Sequence, residues 1–155
     1  MKNYVFIDSQ NLNLAIRDCG WKLDFKKFHV YLKEKYKINK AFIFIGYVYN
    51  NKKLYKFLEE AGYILIFKPI TMDVNRKIKG NIDAELVLHS MIEYPNYDKA
   101  IIVSGDGDFY CLIEYLRDKG KLLNIIIPNQ NKYSKLLRGF NPDAVFLNAL
   151  KSKLK

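Results

Sequence analysis

The sequence predicts an α/β protein, a three-layer α/β/α sandwich around a central, mostly parallel sheet. Three observations predict it. Short apolar runs alternate with amphipathic stretches along the whole chain. The runs are continuously apolar, as strands covered on both faces are. Regular strand–helix alternation brings successive strands into one parallel sheet between helices. The 155 residues, 50% hydrophobic and 27% charged, suit one domain over 1–155 and exclude long disorder and collagen-like or mucin-like chains.

The elements follow in order. Residues 4–7 read as a strand and 12–18 as a short helix ended by Gly20. Asp24 is a good N-cap for a helix over 25–36, in which Phe25, Phe28, Leu32 and Tyr36 recur at helical spacing. Residues 41–49 form the next strand. Asn51 starts a helix through 52–61, with Gly62 as its stop. A third strand over 63–67 is closed by Pro69. Residues 82–94 are helical by the spacing of Ile82, Leu86, Met91 and Ile92, and Pro95 follows. A fourth strand covers 100–103, a helix 109–119 is stopped by Gly120, and a fifth strand 122–127 is stopped by Pro128. Residues 134–138 form a short helix, and 144–147 a sixth strand or a helical turn.

Lys and Arg outnumber Asp and Glu by 26 to 16, a net charge of +10 with pI near 9.5, which points to an anionic partner. Residues 1–80 carry +9 of it and 81–155 only +1. A Lys-rich composition is the plain alternative. The apolar segment before Asp8 is too short for a signal peptide, and the longest apolar stretch, 41–49, is far below a membrane span. A cytoplasmic protein with no membrane partner is expected. Cys19 and Cys111 read as reduced thiols, with Cys111 expected as a small buried hydrophobe in a helix.

In open parallel sheets, ligands sit beyond the carboxyl ends of the strands. Carboxylates collect there. Asp8 follows the first strand in Phe6-Ile7-Asp8-Ser9-Gln10-Asn11, and Asp106 and Asp108 follow the fourth in Ser104-Gly105-Asp106-Gly107-Asp108-Phe109. Asp83 opens a helix just after the basic segment Arg76-Lys77-Ile78-Lys79-Gly80. Each alone also reads as a helix cap or a complement to a helix dipole. Two carboxylates about 4 Å apart repel by roughly 4 kcal/mol at an effective dielectric near 20. Three or four in one pocket therefore need protons, basic neighbours or a cation. The all-oxygen set favours Mg²⁺ or Mn²⁺ over zinc.

These segments resemble the NYN domain, the LabA-like branch of the PIN-like nuclease superfamily. Asp8-x-x-Asn11, Lys79-Gly80-Asn81-Ile82-Asp83 and Ser104-Gly105-Asp106-Gly107-Asp108-Phe109 carry the likeness, which runs from Tyr4 to about Leu150. The resemblance implies a PIN-like sandwich and a metal-dependent ribonuclease. Asp8, Asp83, Asp106 and Asp108 match its acidic metal positions, Asn11 the polar residue that accompanies the first Asp, and Ser104 the hydroxyl before the acidic pair. Ser9 stands where many members have Gly, and His89 where many have a further Asp. RNA is the implied partner, with Arg76, Lys77 and Lys79 the nearest basic groups to recruit it. A homo-oligomer is left open.

Other readings lack residues. Neither G-x-G-x-x-G nor G-x-x-x-x-G-K-[ST] occurs. Gln10 stands where a haloacid-dehalogenase-like phosphatase needs a second Asp. His29 and His89 do not pair with Cys19 and Cys111 at zinc spacing, and Ser104 lacks a nucleophile elbow. The rivals that remain are a non-catalytic RNA-binding or regulatory module and a phosphohydrolase for small phosphoesters. Most aromatics are expected in the core. Tyr47 and Tyr49, ending the second strand, are the exceptions that suit base stacking.

Overall fold

Strand β1 (Asn3–Asp8) is buried along its whole length, and the remaining elements are laid out around it. The computed structural model describes residues 1–69, the strand backbone at 71–72 and 78–79, and residues 82–155. After β1 come α1 (Ser9–Asp18), α2 (Phe25–Tyr36), β2 (Ile38–Tyr47), α3 (Lys52–Glu60) and β3 (Ile64–Pro69). A short antiparallel pair follows, β4 (Thr71–Met72) with β5 (Ile78–Lys79). The chain continues through α4 (Asp83–Ile92), β6 (Lys99–Val103), α5 (Tyr110–Asp118), β7 (Leu122–Ile127), β8 (Ala144–Phe146) and α6 (Lys151–Leu154).

The main sheet has the order β3-β2-β1-β6-β7-β8, and every neighbouring pair in it is parallel. From β1 the chain winds outward through β2 and β3, then returns to β6 on the other side and winds outward through β7 and β8. The order therefore reverses between β1 and β6. In such sheets that reversal opens a crevice at the carboxyl ends of the two strands, where ligands bind.

Side-chain alternation divides the core into two layers. Val5, Ile7, Ala41, Ile43, Ile101 and Val103 face Leu12 and Ile16 of α1, Phe28 and Leu32 of α2, and Leu58 of α3. Tyr4, Phe6, Phe42, Phe44, Ala100 and Ile102 face Leu86 of α4 and Leu112, Ile113 and Leu116 of α5. Helices on both faces of a parallel sheet are what the apolar strand runs require. Among the described residues no helix is long and apolar enough to cross a membrane.

Several expectations need correction. The first helix starts at Ser9, not at residue 12, because Asp8 caps it directly. β2 starts at Ile38, paired with Asn3, and ends at Tyr47, since Tyr49–Asn51 turns into a 3-10 helix. Phe109 lies in a 3-10 turn (Gly107–Phe109) before α5. The short helix expected at 134–138 is a longer 3-10 stretch, Lys135–Asp143, and residues 144–146 are a strand. β3 is an edge strand that is only partly buried, so covering on both faces does not extend to it. Cys111 is exposed rather than buried, because it falls on the solvent side of α5 between Tyr110 and the core residue Leu112.

Candidate active site

The site begins with helix capping. Asp8 has an extended backbone, and its Oδ1 accepts the Asn11 N–H at 3.1 Å, which starts α1. Ser9 turns inward, its hydroxyl donating to the Phe44 carbonyl at 2.9 Å on β2. The cap reading and the site reading of Asp8 both hold, because one carboxylate oxygen caps and the other faces the crevice. That second oxygen accepts from the Ser104 hydroxyl at 3.1 Å, just past the end of β6.

The loop after β6 is tied on every side. The Asp106 N–H donates to Ser104 Oγ at 3.0 Å, and the Asp108 N–H donates to Asp106 Oδ1 at 2.9 Å. Gly105 N–H donates to Asn11 Oδ1 at 2.8 Å, joining the loop to α1. From the far side, Ser134 N–H donates to the Gly105 carbonyl at 3.0 Å. A Cβ at Gly105 would meet Tyr133 Cβ at 3.1 Å, and one at Gly107 would meet Ser134 Oγ at 2.3 Å. Both glycines are there so that the segment after β7 can lie against the acidic loop.

Asp8, Asp83 and Asp106 each offer an oxygen within 4.8 Å of the others. Burial pushes the Asp8 carboxyl up to about 6, and the negative charge of Asp106 adds to this. Hydrogen bonds from Asn11, Ser104 and Gln10 pull it the other way. Asp83 is pushed up to about 7, first by burial, then by a hydrogen bond with Asp108, then by the charges of Asp106, Asp8 and Asp108. Asp108 thus reaches the group through Asp83 while lying outside the three-oxygen cluster. The set fits a hard divalent cation. All its donors are carboxylate oxygens, and their mutual repulsion is what a positive charge would relieve.

The other sequence candidates divide. Asn11 Oδ1 accepts from the Gly105 N–H, and the Ser104 hydroxyl bridges Asp8 and the Asp106 N–H, so both brace the acidic loop. Arg76 and Lys77 lie outside the described residues. Lys79 lies in β5, its backbone paired with Thr71, four residues before Asp83. His89 packs its ring against Phe44, with centroids 5.7 Å apart. Sequence reasoning missed Tyr133 and Ser134, which the acidic loop rests on. The small residues Gly105 and Gly107 were the available signal, since they announce a close approach without naming the partner. It also missed Lys68 at the end of β3, whose ammonium lies 3.7 Å from Glu85 in the first turn of α4.

The parallel α/β/α sheet gathers carboxylates at its topological switch point, where sheets of this kind bind ligands. The NYN domain family profile matches residues 2–147, and the chain belongs to that family. It is 24% identical over 168 residues to the Low amplitude and bright protein LabA of Synechococcus elongatus, spanning 96% of this chain and 84% of that one. It also superposes on the crystal structure of a protein of unknown function from Vibrio parahaemolyticus. There the TM-score is 0.78 and the identity 21%, over 94% of this chain and 92% of that one. NYN domains are generally nucleases.

Proposed function

We propose that the protein is a metal-dependent ribonuclease that hydrolyses RNA phosphodiester bonds at the crevice between β1 and β6. The observation that carries the reading is the convergence of Asp8, Asp83 and Asp106 within 4.8 Å at that crevice, in a chain of net charge +10. Asp8, Asp83 and Asp106 would hold Mg²⁺ or Mn²⁺, and Asp108 would complete the acidic wall through Asp83. When bound, such a cation supplies Lewis acidity toward the phosphate and an acidified water as nucleophile.

The chain's own residues do the rest. Ser104 and Asn11 fix Asp8 and the acidic loop, so that the carboxylates keep their geometry before substrate arrives. An acidic crevice alone repels a polyanion. Recruitment therefore falls to surrounding cations, of which Lys79, Arg76 and Lys77 lie just before Asp83 in the chain and Lys68 beside Glu85. Phosphate contacts of this kind position a strand without reading its sequence. The free thiols of Cys19 and Cys111 fit a reducing compartment, the cytoplasm.

The test is cleavage of a labelled RNA beside hydrolysis of a chromogenic phosphoester, each with Mn²⁺ and with chelator. RNA cleavage that depends on Mn²⁺ supports the proposal. Turnover of the small ester alone makes the protein a phosphohydrolase, and tight RNA binding without cleavage under any divalent metal makes it a non-catalytic module.

A further inference from the structure

β2 runs past the point where it meets the acidic site. Phe44 is the register partner of Asp8, and the strand continues to Tyr47. At about 3.3 Å per residue, Tyr47 stands roughly 10 Å further along the carboxyl side of the sheet. Tyr47 is 41% exposed and Tyr49 72% exposed.

The Tyr47 ring is held by its neighbours. Tyr47 stacks on Tyr55 with centroids 5.7 Å apart and an interplanar angle of 28°, and it meets Phe67 edge-on at 5.4 Å. The Tyr55 hydroxyl accepts the Val48 N–H at 2.7 Å and reaches the Gly46 carbonyl at 3.2 Å, which pins the backbone between the two rings. The Lys52 ammonium lies 4.9 Å from the Tyr49 ring centroid. Tyr49 belongs to neither core cluster. Two exposed aromatic rings, one held by its neighbours and one beside a cation, on the ligand-binding edge of the sheet, match what unpaired bases bind: a π-face to stack on and a positive charge for the adjoining phosphate.

We infer that Tyr47, Tyr49 and Lys52 form a nucleobase-stacking subsite, which holds an unpaired base of a nucleotide neighbouring the scissile one. The inference rests on the nuclease reading and deepens it, because it names the residues that would hold a base beside the scissile phosphate. Asp8 shares its strand face with Phe6 and Tyr47 shares its face with Ile43, so a bound strand crosses the carboxyl edge of the sheet from one layer toward the other. Stacking of this kind tolerates any base, so the subsite selects for unpaired structure and not for sequence.

The experiment uses the full chain carrying Asp106→Asn, so that RNA is not consumed. Binding of a fluorescent oligouridylate is compared with binding of an abasic oligomer of the same length. Adding Tyr49→Ala should weaken the oligouridylate about fivefold to a hundredfold, Tyr49→Phe should restore it, and the abasic oligomer should bind all variants alike. Equal binding of oligouridylate with and without the Tyr49 ring overturns the subsite and leaves the nuclease reading standing. An equal loss for both oligomers overturns it too, since the ring would then act only through charge or folding. A parent that binds neither oligomer removes the RNA reading itself, and the subsite with it.

Discussion

The Ser104 hydroxyl donates to Asp8 Oδ2 at 3.1 Å across 96 residues of sequence, and Ser104 Oγ in turn accepts the Asp106 N–H at 3.0 Å. One side chain thus links the carboxylate that ends β1 to the loop that follows β6. Both Asp8 and Ser104 are buried, so these bonds are made where water does not compete for them.

Replacing Ser104 by Ala should therefore leave a buried carboxylate oxygen and a backbone N–H with one partner fewer. An unsatisfied buried group of this kind costs about 1–3 kcal/mol, and the Asp8 carboxyl should be pushed up further because a bond that lowers it is gone. The expected outcome is a lower denaturant midpoint together with weaker Mn²⁺ binding. Unchanged stability and metal affinity would mean that the hydroxyl is not a brace.

At Gly107 an added Cβ would lie 2.3 Å from Ser134 Oγ and 2.9 Å from Ser134 Cβ. Gly107→Ala should push the Asp106–Asp108 segment off Ser134 and lower RNA cleavage at least tenfold. Ser134→Gly removes both clashing atoms, and its loss as the cap of the 3-10 stretch costs only a few tenths of a kcal/mol. The double variant should recover much of the lost rate, and failure to recover would show that the glycine is needed for another reason.

Stability should depend on pH in a sense set by the raised carboxyls. With Asp8 up from 3.8 to about 6 and Asp83 up to about 7, the folded state holds more protons than the unfolded one between about pH 4 and 7. Metal-free stability from these groups is present at low pH and is lost as pH rises through that window. Asp8 alone accounts for about 3 kcal/mol. His29, held down by burial and by Lys33, acts in the opposite sense. The useful reading is therefore the difference from Asp8→Asn, whose chelated protein should lose less stability between about pH 5 and 7.5. Mn²⁺ should stabilise the parent more at the upper pH. Identical pH profiles for parent and variant would contradict the assignment.

Asp106 and Asp108 sit two residues apart but are placed differently. Asp106 offers an oxygen to the three-carboxylate cluster, whereas Asp108 meets the group through Asp83. Asp106→Asn should abolish Mn²⁺ binding at concentrations that saturate the parent, and Asp108→Asn should only raise the concentration needed. Calorimetric titration of both variants distinguishes them, and an equal loss in the two would make Asp108 a full ligand.

Much of this was legible because local chemistry and tertiary structure agree. The apolar run Leu122–Ile127 is a strand with those limits. Asp24 caps α2 through the Lys27 N–H as its residue type predicts, and Gly62 ends α3 at a φ of +112°. The family resemblance picked out the acidic residues that meet at the crevice, and the strand order brings Asp8 and Asp106 to its switch point. What stayed hidden depends on partners distant in sequence. The start of β2 is set by pairing with β1, and the exposure of Cys111 by which side of α5 packs on the core. The roles of Asn11 and Ser104 follow from hydrogen bonds across 94 and 96 residues, which no local pattern announces. The short α6 is held by Leu154, buried against the first core layer.

The most direct measurement is single-turnover cleavage of an unstructured labelled RNA by the parent and by Asp106→Asn, with limiting Mn²⁺ and again with excess chelator. The parent should cleave with Mn²⁺ and not with chelator, and the variant should not cleave at all, while it still binds the RNA at least as tightly because a charge that repels phosphate is gone. Cleavage by Asp106→Asn at the parental rate, or by the parent in chelator, would contradict the proposed function.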